Sequence, residues 1–290
     1  SAGAPSMARD NAEFFSVALD QAARARRVSE GVGTDRSPAS DTAEGLEARV
    51  GQGADPVNAA RCKNVAHTVS AHPDSRIPGL RSMYTPAAFQ LDESSALALV
   101  DAHPLATLVC SDGGGSEVNL LPLLHQGKSA LIGHIARANP LWQRFTDGSR
   151  VVAIFHGAQG YVHPGWYPAK SEHGKVVPTW NYEAVVVHGR IHWQHDADTL
   201  LSRVEALTRH MEAPRTEPWQ VSDAPPDYTA TLLRAIVSLR IDIERIEAKA
   251  KLSQNHPAAN REGVIRGLDD GADPHAQPAL AAQMRKIPRP

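Results

Sequence analysis

The 290-residue chain has few of the features that would define its class at once. Its two cysteines, Cys62 and Cys110, form no CxxC motif and cannot build a disulfide framework or a thiolate metal site. No apolar run approaches the ~18 residues that cross a bilayer, so a membrane-spanning helix is excluded. Thirty basic and 32 acidic side chains nearly cancel, so the whole chain has no net attraction to nucleic acid. Scarce cysteine is typical of a protein from the reducing cytoplasm.

Aromatic residues are also scarce, and their distribution divides the chain. All tryptophans and tyrosines follow residue 82, and residues 1–82 contain only Phe14 and Phe15 as aromatics. Because that stretch cannot bury enough apolar surface to offset the entropy of ordering it, we predict a largely disordered extension over residues 1–82, with a short helix near residues 13–25. The chain begins with Ser1 and has no charged-then-apolar leader, so no secretory signal is expected.

From Met83 onward the hydrophobic pattern becomes dense, and we predict one domain over residues 83–290 that is mainly β with α (α+β). Short turns between successive strands favour antiparallel pairing in a small closed or partly split β-barrel with peripheral helices and a helical C-terminal tail. A doubly wound parallel sheet is the weaker alternative. The predicted strands lie at residues 105–110, 117–124, 129–136, 150–157, 182–193 and 239–244.

Helical spacing, capping residues and breakers predict the segments between these strands. The predicted helices follow Asp92, lie between Asn139 and Gly148, and cover residues 199–211 and 232–237. Residues 158–181 contain three prolines and three glycines and are predicted to be an irregular loop, a kind of segment that is often functional when it is long.

The strand-to-helix junction around Arg137 is the first candidate site. Alternation places His134 and Ala136 on one side of the strand. A guanidinium beside free N–H groups at a helix start, here at Asn139, would bind a phosphate. The alternative is that Arg137 pairs with a surface carboxylate and that His134 is a half-buried sheet residue.

Two further segments offer ligand-binding chemistry. Trp180, Asn181 and Tyr182 combine aromatic surfaces with an amide, as an isoalloxazine ring requires, although such aromatics more often lie in a core or dimer interface. Lys249 and Lys251 would face one way if their strand continues, which suits a polyanion, but a solvated charged edge explains them equally well.

A metal site is rejected despite 14 histidines. His188 and His192 are four residues apart, which on a strand is about 13 Å and too far to share an ion. The chain also contains no GxSxG elbow, P-loop or GxGxxG fingerprint, so acyl transfer and nucleotide hydrolysis have no support.

Six ordered motifs between Met83 and about Leu268 resemble the PaiB-type FMN-binding negative transcriptional regulators. They are MYTP at 83–86, HPLATL at 103–108, GHIARANP at 133–140, WYP at 166–168, VPTWNY at 177–182 and KLSQN at 251–255. The resemblance implies an FMN-binding split β-barrel, usually a homodimer with ligand sites at the subunit seam. It implies nothing about residues 1–82.

The resemblance also implies which residues bind the cofactor. Similar barrels place FMN against the equivalents of these positions: Asn119, His134, Ala136, Arg137, Trp180, Asn181 and Lys251. Haem is the less favoured alternative as the cofactor of this chain. This sequence departs from the family pattern in two motifs: His163 and Gly165 stand where serines are usual, and Ala248 stands where glycine is usual. These departures concern how the ligand is bound more than they concern the fold.

Three functions then remain open for this chain: an FMN-binding repressor of transcription, an FMN-dependent oxidoreductase acting on a small substrate, and a flavin-free or haem-binding barrel that acts through protein partners. Direct DNA contact is not supported by charge, because residues 83–290 carry 20 basic and 22 acidic side chains. The sequence names no acid–base pair and no nicotinamide-binding motif that would support an oxidoreductase. The oxidoreductase therefore remains the second hypothesis, after the FMN-binding regulator.

Overall fold

The computed structural model describes residues 82–287. The predicted extension and its short helix therefore lie outside the described residues. Among the helices of this part of the chain, none is both long and apolar enough to cross a membrane.

Six strands close into one barrel in the order β1-β2-β3-β6-β5-β4. Every neighbouring pair is antiparallel, so the predicted barrel is confirmed and the parallel-sheet alternative is wrong. The tight turns after β1 and β2 leave no length for the crossover that parallel pairing requires. The strands are β1 (Leu105–Asp112), β2 (Gly115–Gln126), β3 (Ala130–Ala136), β4 (Ser149–Val162), β5 (Thr179–Gln194) and β6 (Ile236–Lys251).

Helices pack around the outside of this barrel, and the first of them begins as predicted. The carboxylate of Asp92 accepts a hydrogen bond from Ser95 N–H at 2.7 Å and caps it. The helices described between residues 82 and 287 are α1 (Glu93–Ala102), α2 (Leu141–Arg144), α3 (Ala169–His173), α4 (Ala197–Glu212), α5 (Pro226–Arg234), α6 (Ala258–Asp269) and α7 (Pro278–Lys286).

Three boundaries differ from the sequence predictions. The helix predicted between Asn139 and Gly148 is only four residues long, because Asp147 already accepts a hydrogen bond from Trp193 N–H of β5. Residues 236–237 begin β6 instead of ending a helix, since they pair with the end of β3. The predicted irregular loop shrinks to residues 163–178, because β4 and β5 continue into it from both sides, and this remainder contains a 3-10 turn at Pro164–Trp166 and helix α3.

Two hydrophobic clusters account for the packing that positions the sites. The barrel interior is filled by side chains such as Leu108, Phe155 and Leu239, all fully buried. A second cluster lies where α6 and α7 cover the ends of β4 and β6, around Val162 and Leu252. This second cluster supports the segment that follows β6.

The outer face of β1 and β2 carries apolar side chains that no described residue covers. Leu105, Val118 and Leu120 are 58%, 59% and 70% exposed. Val118 pairs with Val109 and Leu120 with Thr107 across the two strands, so these side chains form one continuous patch. Contiguous apolar surface of this kind marks an interaction site on a folded protein.

Candidate functional site

The guanidinium of Arg137 lies just beyond β3 and is held by neutral groups. Its Nε donates to the carbonyl of Arg234 and its Nη2 donates to the carbonyl of Ile236, each at 2.8 Å. Its Nη1 lies 3.4 Å from Nδ1 of His195. No carboxylate in residues 82–287 forms an ion pair with it, so the surface-carboxylate alternative has no support in this part of the chain. Two of the five guanidinium N–H groups remain for a ligand.

Asn119 and Asn139 lie at the same end of the barrel. The Nδ2 of Asn139 donates to Oδ1 of Asn119 at 2.7 Å, and Oδ1 of Asn139 accepts from Leu141 N–H at 3.0 Å. A four-residue helix has almost no aligned dipole, so the predicted phosphate site at a helix start loses that contribution. Any anion affinity here therefore rests on Arg137 itself.

His134 and Ala136 both lie on the outer side of β3, with Ile135 between them in the core. His134 is half-buried and pairs in register with Ser238 of β6. Burial lowers the pKa of the His134 imidazole, so the ring is neutral at pH 7. We call Asn119, His134, Ala136 and Arg137 the Arg137 cluster.

A cavity of about 430 Å³ lies at the opposite end of β6. Asn181 and Lys251 line it, together with residues that the sequence predictions did not assign to a site. These are Tyr167, His173, Lys175, Val176, Val177, Thr179, Ser253, Asn255, His256, Pro257 and Asn260. We call this the Lys251 cavity.

Lys251 is the last residue of β6, so the condition that the strand continues this far is met. Its ammonium donates to the carbonyl of Trp180 at 2.8 Å and to the hydroxyl of Thr179. Lys249 does not line the cavity: it is 8% exposed, donates to the carbonyl of Tyr84 at 2.9 Å and lies over the ring of Tyr182. The solvated-edge explanation is therefore wrong for Lys249.

Asn181 is fully buried beside the turn that follows β6. Its Nδ2 donates to the hydroxyl of Ser253 at 2.9 Å and lies 3.6 Å from the sulfur of Met284. Ser253 has φ 63°, the only positive φ of a non-glycine residue between residues 82 and 287. Backbone in this region costs free energy, and it recurs where a side chain is held for binding.

Trp180 does not line the cavity, although the sequence groups it with Asn181. Strand alternation turns its ring to the other side of β5, where it is 49% exposed. The indole contacts the ring of Tyr161 edge-on at 6.3 Å, and its Nε1 donates to Gln159 at 3.3 Å. Trp180 is thus an exposed surface aromatic and not part of the core.

The segment 163–178 forms one wall of the cavity because Trp166 anchors it to α6. Gly267 leaves room for the Trp166 ring: a Cβ at that position would lie 2.3 Å from the indole. The Nε1 of Trp166 donates to Asp273 at 3.1 Å. The next residue, Tyr167, is thereby held with its ring stacked on His256 at 5.2 Å.

Six of the seven predicted site residues therefore fall into two groups that one chain does not bring together, and Trp180 belongs to neither group. His134 pairs with Ser238 near the start of β6, whereas Lys251 ends that strand 13 residues later. That separation is about 40 Å along the strand at the usual rise per residue. The WYP and KLSQN motifs already contained Tyr167 and Ser253, but only the fold shows that they share a cavity.

Comparison with known proteins connects this architecture to a family. The family model described as "Putative FMN-binding domain" matches residues 83–245. The protein "Protease synthase and sporulation protein PAI 2" of Bacillus subtilis is 29% identical over 199 residues, which cover 67% of this chain and 93% of the relative. An uncharacterized protein of Aspergillus fumigatus is 36% identical over 171 residues, covering 48% of this chain and 66% of the relative.

Solved structures with a similar fold include an FAD- and haem-binding protein from Mycobacterium smegmatis. It is 16% identical with a TM-score of 0.45, and the match covers 60% of this chain and 78% of that one. The flavocytochrome Anf3 from Azotobacter vinelandii has a TM-score of 0.41 at 16% identity, covering 56% and 69% of the two chains. Because the family model spans more than half of the sequence, the chain belongs to the FMN-binding-domain family of PaiB-type proteins, as its motifs predict.

Proposed function

We propose that this chain binds FMN at the Arg137 cluster and acts as a flavin-dependent regulator of transcription. The observation that supports this most directly is the charge state of Arg137. Its cation is held in place by neutral carbonyls and has no carboxylate partner in residues 82–287, so a phosphate dianion would meet uncompensated positive charge.

The residues around Arg137 fit a flavin in chemistry as well as charge. The two N–H groups left on Arg137 are donors for a phosphate oxygen, and the amides of Asn119 and Asn139 offer polar contacts beside it. The neutral ring of His134 adds a partner that can donate or accept. When bound, FMN would supply reversible uptake of one or two electrons, while these side chains bind and orient it.

We also propose that the protein is a homodimer in the cytoplasm. The exposed patch of Leu105, Val118 and Leu120 supports the dimer, because a two-fold axis would bury it against its own copy. Asn119 lies between Val118 and Leu120 on β2, although alternation turns its side chain to the opposite face of the strand from this patch. Within one chain the Lys251 cavity lies far from the Arg137 cluster. In such a dimer the cavity would therefore belong to a flavin site only if the cavity of one subunit lay beside the Arg137 cluster of the other.

Regulation without direct DNA contact is the reading that the charges support. The domain carries 20 basic and 22 acidic side chains over residues 83–290 and has no clustered basic helix. A repressor of this kind would act through a protein partner or through its flavin state. Operator binding that weakens steeply with added salt would contradict this part of the proposal.

The visible absorption spectrum of the freshly purified protein tests the flavin assignment. Flavin absorption, followed by release of FMN on denaturation, supports the proposal, whereas a haem Soret band contradicts it. For a colourless preparation, saturable binding of added FMN that quenches flavin fluorescence supports the proposal, and no binding contradicts it. Rapid reduction of the bound flavin by NADPH with a small substrate would favour the oxidoreductase alternative.

A further inference from the structure

The Lys251 cavity is lined by basic side chains, and no carboxylate lines it. Of its thirteen lining residues, two are lysines and two are histidines, and none is aspartate or glutamate. Burial and the charge of Lys251 lower the pKa of His256, and burial also lowers the pKa of Lys251 itself. These shifts favour the neutral imidazole of His256, so the positive charge of the cavity comes from Lys175 and Lys251, and no carboxylate lines the cavity to offset it.

Two polar groups that line the cavity have capacity left for a ligand. The ammonium of Lys251 uses two of its three N–H groups on Thr179 and Trp180. Asn260 is 7% exposed, and its Oδ1 accepts from Ala169 N–H at 3.3 Å. The Nδ2 of Asn260 donates to no group in residues 82–287, so it is free to donate to a ligand.

The remaining lining is apolar or aromatic. Val176, Val177 and Pro257 contribute hydrocarbon surface, and the rings of Tyr167 and His256 stack almost in parallel, with 9° between their planes. A volume of about 430 Å³ lies within the range of small-molecule sites. The cavity therefore combines a cationic, donor-rich region with space for an apolar body.

We propose that the Lys251 cavity binds a small organic anion, with an oxyanion head at Lys251 and Asn260 and an apolar or aromatic body against Val176 and Val177. This ligand is distinct from the flavin and occupies its own site. The inference rests on the proposed function only in assigning FMN to the Arg137 cluster. A carboxylate and a phosphate monoester share the recognising chemistry, and the probes below separate them.

Isothermal titration calorimetry of the full chain with phenyl phosphate, benzoate, inorganic phosphate and phenol tests this. Phenyl phosphate or benzoate should bind at least about tenfold more tightly than either control compound. Phenol lacks the negative charge, and inorganic phosphate lacks the aromatic ring. Whichever of the two anions binds more tightly identifies the preferred head group. Affinity for both anions no better than for phenol overturns the proposal.

Variants locate the binding. Lys251→Met and Lys175→Met should each lower the affinity for whichever anion binds more tightly. For Lys251→Met the expected loss is about tenfold or more, because the substitution removes a charge-assisted contact. Lys170→Met, on an exposed position of α3 outside the cavity, is the matched control and should leave affinity unchanged. Thermal melting verifies that each variant is folded. Unchanged affinity in both cavity variants overturns the assignment.

Titrations in the presence of FMN separate this inference from the proposed function. Independent binding of FMN and phenyl phosphate, with Lys251→Met affecting only the second, supports two sites. One-for-one displacement of FMN by phenyl phosphate overturns the separate site, because the cavity then belongs to the flavin. Anion binding to a protein that takes up no FMN would defeat the proposed function and leave the anion site standing.

Discussion

Asn139 and Asn119 join their side-chain amides at 2.7 Å and so tie the turn after β3 to strand β2. The same Asn139 side chain accepts the backbone N–H of Leu141, so it satisfies two groups at once. Because these contacts place the turn that follows Arg137, they connect the stability of the barrel end to the geometry of the proposed flavin site.

Removing this amide pair should destabilise the fold measurably. Asn139→Ala is expected to lower the free energy of unfolding by about 1–2 kcal/mol, since two side-chain hydrogen bonds are lost. Urea unfolding of Asn139→Ala, Asn119→Ala and the double variant should show a favourable coupling of about 1 kcal/mol. Gln143→Ala, at an exposed position of α2, is the control. Strict additivity would contradict the contact.

Arg137→Ala should weaken FMN binding by about 10- to 100-fold, because a charge-assisted phosphate contact contributes about 1.5–3 kcal/mol. Fluorescence titration of FMN measures the loss. Arg150→Ala, which removes an exposed arginine of β4, should bind FMN like the parent protein. Equal FMN affinity in the folded Arg137→Ala and parent proteins would contradict the assignment of Arg137 as the phosphate-binding residue.

Gly267→Ala should disturb the Lys251 cavity without changing any residue that lines it. The new Cβ would meet the Trp166 ring at 2.3 Å and force the anchor of segment 163–178 to move. We expect a loss of about 1–3 kcal/mol in unfolding free energy and weaker binding of phenyl phosphate. Gly271→Ala, where a Cβ meets nothing within 4 Å, is the matched control and should be neutral.

Leu120→Lys should convert a dimer to monomers. The side chain is 70% exposed in the single chain, so the substitution costs the monomer little but places a charge in a buried two-fold interface. Light scattering after size-exclusion chromatography gives the mass. Met211→Lys changes an apolar side chain that is 45% exposed, on α4, and should leave the mass unaltered. A parent protein that is already monomeric would refute the dimer.

Cys110 gives stability a predictable dependence on alkaline pH. Burial, and secondarily the charge of Glu117, raises the pKa of this thiol from 9.0 to about 12. Above pH 9 the unfolded thiol ionises while the folded thiol keeps its proton, so stability is lost between pH 9 and 12 at about 1.4 kcal/mol per pH unit.

The comparison that isolates this effect uses a Cys62→Ser background with and without Cys110→Ala. Urea unfolding at pH 8.5, 9.5 and 10.5 should show a steeper fall in the protein that keeps Cys110. Other titrating groups are common to both proteins and cancel in the difference. Parallel pH profiles would contradict a buried, protonated thiol.

Much of the fold could be predicted from local pattern. All six strands were found because apolar alternation and turn residues are local properties, and the tight turn at residues 126–128 leaves antiparallel pairing as the outcome. The errors lie where long-range pairing overrides local preference. Residues 236–237 look helical beside Leu232 and Leu233, yet they join β6 because the end of β3 offers them partners.

The candidate site could be predicted only as a set of residue types. Ordered motifs identified the family and named Arg137, Asn181 and Lys251, since chemistry and spacing are written in the chain. Which of them meet was decided by the tertiary structure, because His134 of β3 pairs near the start of the long strand β6, whereas Lys251 lies at its end. The carbonyl partners of Arg137, and Thr179 and Trp180 as partners of Lys251, lie about 70 to 100 positions away in the sequence, so no local pattern could have revealed these contacts.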